Sequence, residues 1–182
     1  MPRVLVPLAQ GCEELEAVTI IDLLRRAGVE VVTAGLDKDV VKCSRGTSLV
    51  PDTDLDQALQ TDYDMVVLPG GLPGADYLDQ DTRIKELLTR MADKGKYTAA
   101  ICAAPKVLAS AGLLNGKEAT SYPGVLDKME VAGLRYRDQA VVTDGRVITS
   151  RGPGTAMDFA LQLIECLAGT EKRTEVETAL QR

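Results

Sequence analysis

Histidine and tryptophan are absent from this sequence of 182 residues, and phenylalanine occurs once. Histidine is the usual base beside a catalytic cysteine or serine, so its absence excludes the common nucleophile–histidine pairs. Aromatic residues make up only 3% of the chain, which argues against a surface that stacks nucleic-acid bases. The 21 lysines and arginines are outnumbered by 27 aspartates and glutamates, giving a net charge of −6, so we expect no nucleic-acid partner.

The sequence also lacks closely spaced cysteine pairs and long apolar runs. Its four cysteines, Cys12, Cys43, Cys102 and Cys166, form no CxxC motif, and no histidine is present to complete a zinc site. We therefore predict no metal centre and expect free thiols in a reducing compartment. The N-terminal stretch MPRVLVPLAQ is too short for a signal peptide or a membrane span, so we expect a cytoplasmic protein without membrane contact.

The remaining composition, with 45% hydrophobic residues and no repeat or linker, predicts one domain over residues 1–182. Apolar runs rich in β-branched residues alternate with patterns of helical period. The predicted strands cover residues 3–9, 29–36, 64–71 and 97–101, with a further strand and loop within 117–125; the predicted helices cover 13–27, 81–94, 104–111 and 156–167, with a tail at 171–180. A small hairpin or an excursion from the main sheet is predicted within 40–50, and a hairpin within 140–150 is predicted to turn at Asp144 and Gly145 as type I′. This order indicates a doubly wound, mostly parallel sheet with helices on both faces, whose ligand crevice lies at the carboxyl ends of the strands.

Cys102 lies where a predicted strand changes to a helix, in the stretch AAICAAP. A cysteine among alanines is often simple core filling, since cysteine packs as a small apolar residue. Small residues around a central nucleophile are also typical of a nucleophile elbow, in which a sharp turn presents the side chain. We expect such a thiol to have a lowered pKa, because a helix N-terminus and nearby N–H groups stabilise the thiolate.

Two further stretches map to the same crevice. Gly70 and Gly71, after the strand DMVVL, either make a tight turn or provide N–H groups for an oxyanion, together with the elbow. Glu13, Glu14 and Glu16 open the first helix, where carboxylates commonly complement the helix dipole. We expect Glu14 to be solvated, whereas a carboxyl in the crevice could hold a proton and hydrogen-bond a thiolate.

The stretches GCEELEAV, KCSRG, DMVVLPGG, AAICAAP and TSRGPGT occur in order and spacing similar to those of the ThiJ/PfpI superfamily, in its protein deglycase branch. The resemblance runs over essentially the whole chain. It implies a flavodoxin-like fold, a homodimer and cofactor-independent chemistry. It further implies a reactive cysteine at Cys102 in a strained backbone conformation, a protonated glutamate at Glu16, and oxyanion-binding amides near Gly71 and Ala103.

The same resemblance assigns further residues to the pocket or to the dimer interface. Arg26 and Arg45 are expected near the pocket, with Arg45 reaching across the interface. Glu13 and Pro153 belong to the motif stretches at the predicted crevice and are given the same role. Cys12, Cys43 and Cys166 are interpreted as core residues, although Cys12, near the glutamate turn, or Cys43, beside Ser44 and Arg45, could instead be oxidised at the pocket or interface.

The chain departs from many members of this superfamily at Tyr122, where they have a histidine. A tyrosine hydroxyl, with a reference pKa of about 10, is a poor proton shuttle at neutral pH. The resemblance implies action on small reactive carbonyls, either conversion of methylglyoxal to lactate or deglycation of early glycation adducts. The alternative is a redox sensor or chaperone controlled by oxidation of Cys102. A peptidase would need the missing histidine base.

Overall fold

The computed structural model describes all residues from Met1 to Arg182. The strands are β1 (Arg3–Leu8), β2 (Glu30–Gly35), β3 (Val41–Lys42), β4 (Ser48–Leu49), β5 (Thr53–Asp54), β6 (Met65–Leu68), β7 (Tyr97–Ile101), β8 (Glu118–Ala119), β9 (Arg135–Tyr136), β10 (Val141–Asp144) and β11 (Val147–Ser150). The α-helices are α1 (Glu14–Arg26), α2 (Leu55–Ala58), α3 (Gly74–Gln80), α4 (Thr82–Asp93), α5 (Pro105–Ser110) and α6 (Ala156–Ala179).

Seven strands form the central sheet in the order β10-β11-β7-β6-β1-β2-β5. All neighbouring pairs are parallel except β10 with β11, which confirms the predicted mostly parallel sheet. The order reverses between β1 and β6, because β2 lies on one side of β1 while β6 lies on the other. Crevices for ligands form at the carboxyl ends of strands at such a reversal.

Each face of the sheet is covered by helices, as predicted. On one face, Ile20 and Leu24 of α1 pack in the same core as Phe159 and Ile164 of α6. Leu78, Leu87 and Val107, from α3, α4 and α5, belong to the core on the opposite face. Burial on both faces explains why β6 reads as the continuous apolar run MVVL, all four residues of which are buried.

Several boundaries follow local signals in the sequence. The side chain of Glu13 caps α1, and Gly28, with a φ of 76°, follows its last turn. The predicted excursion within residues 40–50 is the small antiparallel pair of β3 and β4, outside the main sheet. The long C-terminal helix is broken at Gly169, where φ is 88°, so its end forms the separate tail that the sequence predicts.

Other local predictions were wrong in detail. The hairpin of β10 and β11 turns at residues 145–146 rather than at the predicted 144–145. Of these two turn residues only Gly145 has a positive φ, which is typical of a type II′ turn and not of the predicted type I′ turn. The helix α3 was not predicted, because its seven residues are too few for a clear apolar period. The predicted strand near residue 118 is reduced to β8, which pairs with β9 outside the main sheet. None of the helices has both the length and the apolar character needed to cross a membrane.

Candidate functional site

Cys102 occupies a sharp turn between β7 and α5. Its φ is 65°, a left-handed conformation that costs a non-glycine residue about 1–2 kcal/mol. The backbone is held on both sides of this turn: the N–H of Cys102 donates to the carbonyl of Ser150 at 3.0 Å, and its carbonyl accepts from the N–H of Tyr122 at 2.8 Å. The half-buried thiol is thus presented at the carboxyl ends of the central strands, in the geometry of a nucleophile elbow.

The carboxyl of Glu16 lies beside this thiol, with Gly70 between the two elements. Oε2 of Glu16 accepts a hydrogen bond of 2.9 Å from the N–H of Gly70, and the Glu16 residue is completely buried. A Cβ atom built on Gly70 would lie 2.6 Å from Cβ of Cys102 and 2.9 Å from Oε2 of Glu16. Position 70 therefore has no space for a side chain, and its glycine allows the thiol and the carboxyl to meet.

Burial changes the protonation of Glu16. It raises the pKa of this carboxyl to about 7, against the opposing effects of the Gly70 N–H and of the hydrogen bond with Cys102. The second carboxyl oxygen, Oε1, is buried and has no hydrogen-bond donor within the chain. An oxygen without a donor is poorly stabilised as an anion, so the environment favours the protonated carboxyl near neutral pH.

The expected lowering of the Cys102 pKa is not what the structure gives. Burial, followed by the charge of Glu16 and the hydrogen bond with it, raises the pKa of the thiol to about 12. The helix contribution is small, because α5 has only six residues and begins three residues after Cys102. The second and third causes depend on an ionised Glu16, so protonation of this carboxyl removes both and favours the thiolate, while burial still raises the pKa of the thiol.

Two backbone N–H groups oppose these effects at the sulfur. The backbone N–H groups of Gly71 and Ala103 both act to lower the pKa of the Cys102 thiol. Gly71 has a φ of 89°, and a Cβ atom there would lie 2.4 Å from the backbone N of Glu13. These are the amides that the resemblance assigns to an oxyanion, and they lie beside the sulfur to which a substrate carbon would be joined.

The other glutamates of this turn bind the loop between β3 and β4. Oε2 of Glu13 accepts from Oγ of Ser44 at 3.0 Å and lies 3.8 Å from Nε of Arg45, whose side chain is 81% exposed. Glu14 was expected to be solvated only, but its carboxylate also accepts from the backbone N–H groups of Arg45 at 3.1 Å and Thr47 at 3.3 Å. The two carboxylates therefore position the Arg45 segment at the edge of the pocket.

Tyr122 and Pro153 lie on the other side of the elbow. The backbone of Tyr122 bonds Cys102, and its ring, which is half exposed, packs against Gly152. Pro153 begins a short 3-10 turn after β11, close in sequence to Ser150, whose carbonyl holds the Cys102 backbone. The role of Ser150 was missed from the sequence, since a main-chain carbonyl leaves no signature in side-chain chemistry.

Arg26 is not brought to the pocket of its own chain. It lies in the last turn of α1, about 15 Å along the helix axis from Glu16, as ten residues at 1.5 Å each require. Its Nε donates to Asp22 at 2.7 Å on the exposed helix surface. The expectation of a pocket position for Arg26 is thus wrong within one chain, because the residue is at the opposite end of the helix; its place in an interface stays a prediction.

The sequence of the chain matches one known protein family. Residues 2–166 match the model of the DJ-1/PfpI family. The chain is 47% identical to protein dj-1beta of Drosophila melanogaster, covering 97% of this chain and 95% of that protein. It is 40% identical to the glutathione-independent glyoxalase DJR-1.2 of Caenorhabditis elegans, covering 90% and 87% of the two chains.

The fold is also shared with a solved structure of this family. The crystal structure of Drosophila melanogaster DJ-1beta superimposes with a TM-score of 0.94, at 46% identity, covering 99% of this chain and 97% of that one. The resemblance seen in the sequence motifs and the flavodoxin-like fold are both confirmed. With its elbow cysteine and buried glutamate at the sheet reversal, the chain belongs to the DJ-1/PfpI family.

Proposed function

We propose that this protein is a cysteine-dependent enzyme that acts on small reactive carbonyl compounds without a cofactor. The preferred reaction is the conversion of methylglyoxal to lactate; removal of early glycation adducts from amines is the related form. The observation that carries the proposal is the meeting of the Cys102 elbow and the buried Glu16 carboxyl at Gly70, where a Cβ atom would lie 2.6 Å from Cβ of Cys102 and 2.9 Å from Oε2 of Glu16. The relative named as a glutathione-independent glyoxalase supports this class of chemistry.

The arrangement provides for each step of the reaction. The thiolate of Cys102 adds to the aldehyde carbon of methylglyoxal, and the proton of Glu16 passes to the aldehyde oxygen, giving a hemithioacetal. The Glu16 carboxylate then removes the proton from the same carbon, giving an enediolate. Return of this proton to the neighbouring carbon, with transfer of the hydroxyl proton from the first oxygen to the second, gives a lactoyl thioester. Water hydrolyses the thioester, releases lactate and restores the thiol. Methylglyoxal and one water are consumed for each lactate, so no metal or redox partner is required.

The test is steady-state lactate formation from methylglyoxal by wild type, Cys102→Ser and Glu16→Gln. We expect activity above the uncatalysed background in wild type, complete loss in Cys102→Ser, and a loss of about 10²-fold or more in Glu16→Gln, the usual contribution of a general acid–base group. Cys166→Ser is the matched control, because this thiol lies on α6 away from the site and should be dispensable. Equal rates in wild type and Cys102→Ser would refute the proposal.

A second candidate is supported by the protonated Glu16 beside a half-buried thiol. A Cys102 sulfinate could accept a hydrogen bond from this carboxyl, and the oxidised protein would then act as a redox sensor or chaperone. The comparison includes an oxidized DJ-1 structure from Toxoplasma gondii, 38% identical with a TM-score of 0.93. If wild type makes no lactate but peroxide alters client or partner binding in a manner that Cys102→Ser abolishes, this candidate is favoured.

We also propose that the protein is a homodimer. Leu15 and Val18 lie 50% and 45% exposed on α1, and Arg45 extends from the adjacent loop. An exposed apolar helix face beside the pocket is suited to pack against a second copy. Light scattering of wild type and of a Val18→Asp variant tests this; a monomeric wild type would refute it.

A further inference from the structure

A second pair of reactive side chains lies next to the pocket but takes no part in the proposed reaction. Sγ of Cys12, in the loop after β1, lies 3.7 Å from Sγ of Cys43, which follows β3. Both thiols are free and buried. The two residues are separated by 31 positions in the sequence, so the fold alone brings them together.

Backbone hydrogen bonds join the two segments on either side of the cysteine contact. The N–H of Gly11 donates to the carbonyl of Lys42, and the N–H of Ser44 donates to the carbonyl of Cys12, each at 2.8 Å. A disulfide has an S–S distance of about 2.05 Å, so the two sulfurs must approach by about 1.7 Å from their present 3.7 Å. The bond therefore joins segments that the fold already holds together.

We propose that Cys12 and Cys43 are a redox modification site, at which a peroxide converts the two thiols to a reversible intramolecular disulfide. One thiol attacks a peroxide oxygen, giving a sulfenic acid and a molecule of water or alcohol. The second thiol then attacks the sulfenic sulfur, the S–S bond forms, and the sulfenic oxygen leaves as water. The protein loses two hydrogens and the peroxide is reduced by two electrons. A small-molecule dithiol reverses the reaction by thiol–disulfide exchange.

Access controls the rate of this oxidation. Burial raises the pKa of both thiols, so few thiolates are present while the β3–β4 loop is closed. The reaction therefore requires opening of this loop and is slower than oxidation of the half-buried Cys102. Once formed, the bond fixes the loop to the start of α1.

The disulfide would also lie directly beneath the glycines of the pocket. A Cβ atom on Gly71 would be 2.8 Å from the carbonyl carbon of Cys12, and one on Gly74 would be 2.7 Å from its Cα atom. The backbone that carries the Gly71 amide is therefore packed against one half of the pair. Through that contact, oxidation of Cys12 and Cys43 is expected to affect the position of the Gly71 amide at the pocket.

The experiment uses the full chain with Cys102→Ser and Cys166→Ser, in which the proposed pair is the only thiol pair left. The protein is treated with hydrogen peroxide, alkylated under denaturing conditions, and digested without reductant for mass spectrometry. We expect a peptide containing Cys12 linked to one containing Cys43, two hydrogens lighter than the separate peptides and released by dithiothreitol. Addition of Cys43→Ser removes the linked peptide and serves as the matched control.

Three results would overturn the proposal: alkylation of both thiols after peroxide treatment, sulfinate at either residue without a linked peptide, or links only between two copies of the same cysteine. The same peptides are also sought in oxidised wild type, so that poor folding of a variant does not decide the outcome. Because the variant lacks Cys102, the result is independent of the proposed enzymatic function.

Discussion

Replacing Glu16 by glutamine should change how the stability of this protein depends on pH. The comparison is made in a Cys102→Ser background, so that Glu16 is the only titrating group of its pair. Burial raises the pKa of this carboxyl from its ordinary value of 4.5 to about 7. Between these two pH values the folded protein holds a proton at Glu16 that the unfolded chain has lost.

The sign and size of the effect follow from this difference. A group that binds its proton more tightly in the folded state contributes stability that is fully present below pH 4.5 and is lost as pH rises through 7. The difference of about 2.5 pH units, at about 1.36 kcal/mol for each, corresponds to about 3 kcal/mol. Glutamine carries no titrating proton and keeps the shape of the neutral carboxyl. The Cys102→Ser protein should therefore lose about 3 kcal/mol relative to Cys102→Ser/Glu16→Gln between pH 4.5 and 8.

Urea unfolding at several pH values measures this difference. A change of about 3 kcal/mol moves the relative urea midpoint of the two proteins by about 1 M or more. Cys102→Ser/Glu171→Gln is the matched control, since Glu171 is an exposed glutamate of the last helix and its loss should leave the pH dependence unchanged. Parallel pH profiles for the Cys102→Ser and Cys102→Ser/Glu16→Gln proteins would refute the reasoning about the buried carboxyl.

Further predictions concern the elbow. Gly70→Ala places a Cβ atom 2.6 Å from that of Cys102. We therefore expect the free energy of unfolding, measured with urea, to fall by about 1–3 kcal/mol and the alkylation of Cys102 to become slower. An unchanged alkylation rate would contradict the close approach of positions 70 and 102. Cys102→Gly should be about 0.5–1 kcal/mol more stable than Cys102→Ala, because glycine tolerates the φ of 65°; the opposite order would argue against backbone strain. Dilute peroxide should oxidise Cys102 before the other cysteines and give mainly a sulfinate, and peptide mass spectrometry showing Cys166 modified first would contradict this. Tyr122→His supplies a group of reference pKa about 6.5 and should raise kcat for methylglyoxal about 10-fold at neutral pH. Alkylation of Cys102 at the normal rate is the control for an intact pocket. With that control satisfied, an unchanged kcat would show that proton transfer at this position does not limit turnover.

The sequence by itself determined the architecture and the position of the candidate nucleophile. Strands such as MVVL are apolar throughout because helices cover both faces of the sheet, and helix α1 shows its buried face as a regular spacing of apolar residues. Both patterns are local and can be read without coordinates. The elbow was equally visible, since small residues around Cys102 are needed wherever a strand turns sharply into a helix.

Only the tertiary structure decided the protonation at the site. Residue chemistry alone did not separate Glu16 from Glu13, and only the resemblance pointed to Glu16. In the structure Glu16 is completely buried, and its partner Gly70 is 54 residues away. A pKa depends on desolvation and on neighbouring charges, which the fold assembles from distant segments. The raised pKa of Cys102 and the contact between Cys12 and Cys43 also depend on packing between distant segments, so neither was apparent in the sequence. Motifs identify the candidate reactive groups, whereas long-range packing determines their charge and their neighbours.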